Sequence, residues 1–135
     1  MAIDISGRHL EDSRYRMVCA VVSASISPNF MERIHSVRLI PRETRTIDIN
    51  VILDFLNESC MCLPGTIVAE SGDLYNMEIW RVKSILGRDF KYPETIAERM
   101  AVETAHHISI AGRRLIVGDK SMHGKTGAMN KNEPG

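Results

Sequence analysis

Apolar and polar side chains first alternate along this chain and then recur at helical spacing, and that change of period divides it. Residues 2–6 (AIDIS) predict a strand with Ile3 and Ile5 on one face and Asp4 on the other. Gly7 and the polar stretch to Arg14 make a turn. Tyr15–Ser25 is too continuously apolar to keep one face in water, which predicts a central strand. Pro28-Asn29 then breaks the chain, and Phe30–Ile40 sets Ile34, Ser36, Arg38 and Ile40 against Val37 and Leu39. Three strands with short links predict an antiparallel meander.

From Thr46 onward, Ile49, Ile52, Leu53, Leu56 and Cys60 fall at helical spacing, and Ile47, Val51 and Phe55 cover a second side. Thr44 or Thr46 is the expected cap, and Asp48 suits the positive end of that helix. Pro64-Gly65 closes the unit, and Thr66–Glu70 (TIVAE) predicts a short buried strand, parallel to the first, ended by Ser71-Gly72. Asn76 opens a second helix to about Leu86, with Gly87 as its stop. Pro93-Glu94 starts a third, whose stripe is Ile96, Ala97, Met100, Ala101, Thr104, Ala105 and Ile108, with Gly112 as its end. Arg113–Gly118 (RRLIVG) predicts a last strand, with Asp119 behind it. The expected order is β-β-β-α-β-α-α-β, a five-stranded mixed sheet in one α/β domain over residues 1–122. Residues 123–135 lack an apolar period and are expected to be a disordered tail.

Charge narrows the partners. Acidic and basic side chains balance at 17 each, so no global field recruits nucleic acid or membrane. Local clusters exist: Arg33, Arg38, Arg42 and Arg45 face only Glu43, and residues 112–135 hold five Lys or Arg against Asp119 and Glu133. Solvated strand faces explain such clusters more often than phosphate contacts do. Aromatic residues are 5% of the chain, which argues against a stacking platform for single strands. No apolar run is long enough to span a membrane and no signal peptide opens the chain. Three cysteines are an odd number for a disulfide framework, and the expected location is cytoplasmic.

Some local motifs carry little. GDKSMHGKT has five residues between its glycines where a phosphate loop needs four. His106 and His107 have no partner at i+4, so packing or exposure is favoured over metal binding. Cys60 and Cys62 supply only two thiols, which favours buried small hydrophobes over a soft-metal site.

The element order is that of the ribonuclease H-like fold. The opening IDISGR resembles the first strand and turn of type 2 ribonuclease H enzymes, whose pattern is Asp-Glu-x-Gly-Arg-Gly. Asp4, Gly7 and Arg8 match, while Ile5 stands at the second acid and His9 at the final glycine. The following MVCAVV resembles that family's second strand. The whole chain also resembles an uncharacterised protein family of methanogenic archaea, which implies no function.

The ribonuclease H resemblance implies metal-binding carboxylates on the first strand, at the end of the fourth and near the last, with another acid on the first helix. Those places hold Asp4, Glu70 (with Asp73 as the alternative three residues on), Asp119, and Asp48 or Glu43. Asp4, Glu70 and Asp119 are the expected catalytic set. Magnesium or manganese is the implied cofactor, since hard cations prefer oxygen and can clamp both oxygens of a phosphodiester under hydrolysis. Arg8 is the implied phosphate contact and nucleic acid the implied partner. The alternative is a non-catalytic domain of the same fold that binds protein or nucleic acid. Assembly into homo-oligomers stays open.

Overall fold

The computed structural model describes residues 1–118, so Asp119 and the tail at 123–135 lie outside the described residues. Strand β1 (Ala2–Ser6) pairs antiparallel with β3 (Arg14–Ile26), and β3 pairs antiparallel with β4 (Met31–Thr44). The two-residue β2 (Leu10–Glu11) extends the turn between β1 and β3. After helix α1 (Ile49–Ser59), β5 (Ile67–Val68) adds to the other side of β1 and runs parallel to it. A 3-10 turn (Ser71–Leu74) and α2 (Ile79–Leu86) lead to β6 (Phe90–Lys91), parallel to β5, and α3 (Ile96–Ile116) completes the described chain. The antiparallel meander and its parallel fourth main strand therefore both match the pattern of the sequence, in a mixed α/β architecture.

The end of the chain does not. The expected strand at Arg113–Gly118 is instead the last turn of α3 followed by its cap, Val117, and Gly118, and Gly112 lies inside that helix rather than at its stop. A Cβ on Gly112 would sit 2.8 Å from Leu39 Cδ1, so the glycine is there for close packing. With no breaker before Gly118, adding helical residues to a nucleated helix is favoured over starting a strand. The true fifth main strand is β6, too short between Gly87 and Pro93 to show a period.

The helix starts shift for identifiable reasons. Asp48, not Thr44 or Thr46, caps α1, and its Oδ1 accepts from the Val51 amide at 2.9 Å. Helix α3 begins at a capping box rather than at Pro93: Thr95 Oγ1 accepts from Glu98 N, and Glu98 Oε1 accepts from Thr95 N. Gly87 does end α2, in the left-handed region at φ 69°.

Each sheet face has its own cover. Ile3, Ile5, Met17, Cys19 and Val21 pack with Ile52, Phe55 and Leu56 of α1 and with Val82 and Phe90. On the opposite face, Ala2, Ala20 and Val22 meet Ala101, Val102 and Ala105 of α3. Small residues on both sides let that helix lie close to β1. Asp4 is on this second face.

Candidate functional site

Asp4 is buried, with 6% of its surface exposed, in the seam between β1 and α3. An unpaired buried carboxylate is costly, and α3 supplies partners. Ser109 Oγ lies 2.6 Å from Asp4 Oδ2, and His106 Nδ1 lies 3.2 Å from the same oxygen. The serine hydroxyl also stands 2.9 Å from His106 O, but its single proton goes to the shorter, charged acceptor. Ser6 Oγ donates to Ser109 O at 3.0 Å, tying the same two elements again.

A second acid comes from the 3-10 turn after β5. Asp73 Oδ2 is buried with no hydrogen-bond partner among the described residues. Burial first, and then the charge of Asp4, push the Asp73 carboxyl up to about 7, with Arg8 opposing and Glu70 adding to the rise. Arg8 Nη1 lies 3.6 Å from Asp73 Oδ1 and donates to Asp73 O at 2.8 Å. The same guanidinium lies over the Tyr75 ring, 5.2 Å from its centroid.

Asp4 and Asp73 line one cleft of about 530 Å³, whose walls also include Ser6 and Glu70 on the strand side and Arg99, Glu103 and His106 on α3. A neighbouring cavity of about 650 Å³ shares Ile5, Ser6 and His106 with it and adds Arg8, His9, Arg113 and Arg114. One trough therefore has an acidic half and a mostly basic half.

The fold brings Asp4, Glu70 and Asp73 to this cleft, with Arg8 beside them. Glu70 is exposed at the start of the 3-10 turn rather than paired in a strand. Asp48 does not line the cleft and spends an oxygen on its helix cap. Glu43 pairs with Arg14 at 2.7 Å and with Arg16 at 3.0 Å on the meander. Asp119 falls outside the described residues. Among the described residues, no group of three or more His, Cys, Asp or Glu side chains is spaced to hold a metal ion. Cys60 is buried and Cys62 exposed, while burial pushes the Cys19 and Cys60 thiols up to about 12 and about 11.

The sequence set His106 aside in favour of packing or exposure, and Ser109 escaped its pattern. Their signal was a polar pair three positions apart on a helix, with Ser109 continuing the small-residue line Ala97, Ala101, Ala105.

Residues 1–117 match a family described as "Uncharacterized protein conserved in archaea (DUF2209)", and the chain belongs to that family. It is similar to an uncharacterised protein of Methanocaldococcus jannaschii, 28% identical over 123 residues, spanning 89% of this chain and 98% of that relative. No solved structure matches the chain. Among the described residues, no helix is long and apolar enough to cross a membrane.

Proposed function

For this member of the archaeal family, we propose a ribonuclease H-like protein that hydrolyses nucleic-acid phosphodiesters, with a divalent cation held by Asp4 and Asp73. One observation carries the reading: two carboxylates from different elements share a cleft, and one of their oxygens, Asp73 Oδ2, is buried without a partner among the described residues. A cation would satisfy that oxygen and offset the burial and the Asp4 charge that raise the Asp73 pKa. Oxygen donors suit magnesium or manganese, and one or two carboxylates suffice when water and substrate oxygens complete the shell. The donor set therefore fits without a third protein ligand. Glu70 lines the same cleft and is the candidate for contact through water.

When bound, the cation supplies Lewis acidity to the phosphoryl oxygens and acidifies a bound water. Ser109 and His106 fix Asp4 through its Oδ2. Arg8 balances the charge of Asp73 and offers further donors to a phosphate. Arg99 brings a positive charge to the opposite wall. The strand order β4-β3-β1-β5-β6, antiparallel through β1 and parallel beyond it, supports the ribonuclease H-like fold.

Titration calorimetry with manganese tests the reading. Wild type should bind at millimolar metal or better, and Asp4→Asn and Asp73→Asn should each abolish the heat. Labelled RNA, DNA and hybrid duplexes should be cut by wild type and by neither variant. No heat with the wild type overturns the metal site. Metal binding without cleavage of any of the three favours the alternative, a non-catalytic domain that binds protein or nucleic acid, as does Ile5 at the second acid position of the type 2 ribonuclease H pattern.

A further inference from the structure

The turn that carries Asp73 has a second side. Tyr75 and Asn76 follow it with φ of 54° and 57°, two consecutive side chains in the left-handed region. Neither is glycine, and for a bulky residue this conformation persists only where its surroundings enforce it. Here they do: Tyr75 N donates to Gly72 O, Asn76 N to Ser71 O and Met77 N to Leu74 O, and the Tyr92 hydroxyl holds Met77 O. The tyrosine ring is held half out of the protein, at 51% exposure.

On that side lies a pocket of about 420 Å³ with Ile47, Ile49, Leu74, Met77 and Tyr75 as apolar walls. Its polar groups are Arg81, a donor, and Asp48, whose second carboxylate oxygen has no partner among the described residues. Arg8 joins the pocket to the cleft, because one guanidinium touches both Asp73 and the Tyr75 ring.

We infer that this pocket is a nucleobase subsite: a base stacks on Tyr75 while its phosphate lies at Arg8 and the carboxylate cleft. The inference rests on the phosphodiester reading of that cleft. A flat ring with donors and acceptors on its edge matches apolar walls that end in an acid and an arginine, and an aliphatic side chain would leave both unmatched. Base–aromatic stacking is sequence-tolerant, so the subsite selects nucleotides without selecting a sequence. Scarcity of aromatic residues is no obstacle, since one ring beside the cleft suffices.

The probe is 2-aminopurine riboside 5′-phosphate, whose fluorescence falls on stacking, titrated with full-length protein in calcium buffer. Wild type should quench it saturably. Tyr75→Gly removes the ring and relieves the backbone, so it stays folded, and it should weaken binding at least about tenfold. Tyr75→Phe should stay within about twofold, and ribose 5-phosphate should compete poorly. Manganese binding to Tyr75→Gly, measured by calorimetry, should be unchanged, which separates this subsite from the cleft itself. No quenching by wild type, or equal quenching by Tyr75→Gly, overturns the subsite even where manganese binds. Competition by isoleucine amide as strong as by the nucleotide overturns it in favour of an apolar peptide side chain.

Discussion

Ser109 Oγ donates to Asp4 Oδ2 at 2.6 Å, joining α3 to β1 across 105 positions of sequence. The bond is buried and its acceptor is charged, the class in which a hydrogen bond contributes about 1.5–3 kcal/mol. Ser109→Ala should therefore destabilise the protein by about 2 kcal/mol in urea unfolding without metal. In an Asp4→Asn background the same change should cost clearly less, since the acceptor is then neutral. An unchanged urea midpoint for Ser109→Ala would deny the bond its role.

Asp73 makes stability depend on pH. Its pKa of about 7 in the folded protein stands above the ordinary 3.8, so between those values the folded state binds more protons than the unfolded one. Stability should be fullest below about pH 4 for this group and fall as pH rises to about 7. The span corresponds to at most about 4 kcal/mol. Thermal melts in chelator should show this slope in wild type, while Asp73→Asn should lack it and melt higher at pH 8. Parallel curves for the two proteins would remove Asp73 as the cause.

The meander was legible because its strands are long, its turns carry Gly7 and Pro28-Asn29, and Ile3 and Ile5 alternate with Asp4. The strand at residues 66–70 was legible by composition, though only Ile67 and Val68 pair in the sheet. The last strand was mistaken because Leu115, Ile116 and Val117 form strands readily, and Gly112 resembles a helix stop. Which face of α3 meets β1 was the harder question. The larger apolar side chains Ile96 and Met100 are exposed, whereas Ala97, Ala101, Ala105, Ser109 and Gly112 are buried. Close approach selects small side chains over apolar volume, and only that choice sets Ser109 against Asp4. The resemblance named Asp4, Glu70, Asp73 and Arg8 as candidates, but that these three acids share one cleft, and which groups partner Asp4, needed the docked helix.

Gly112 sets two effects against each other. Alanine in its place favours the helix by about 1 kcal/mol. Its Cβ would also lie 2.8 Å from both terminal carbons of Leu39, and crowding of this kind costs about 1–3 kcal/mol. The expected outcome for Gly112→Ala is a net loss of about 1 kcal/mol in urea unfolding. Trimming the neighbour should recover it: Gly112→Ala with Leu39→Val should be more stable than the two single losses predict. Strict additivity would mean that the helix does not touch β4 there.

Gly7 holds the turn that presents Arg8. Its φ is 85°, and a Cβ there would stand 2.2 Å from Arg16 O and 2.4 Å from Arg113 Nε. Those two atoms are bonded to each other, since Arg113 Nε donates to Arg16 O at 2.8 Å while Nη2 reaches Glu11 at 2.9 Å. Gly87 provides the control, because its φ is also positive, at 69°, but a Cβ there meets open space. Gly87→Ala therefore suffers backbone strain alone, about 1 kcal/mol. Gly7→Ala suffers the same strain, the contact with backbone Arg16 O and the loss of the arginine bond, about 3 kcal/mol or more in total. Thermal melts of both variants measure the difference. Equal losses would place no backbone behind Gly7. A much larger loss at Gly7, with manganese binding weakened in the protein that still folds, would tie the packed turn directly to the arginine beside Asp73.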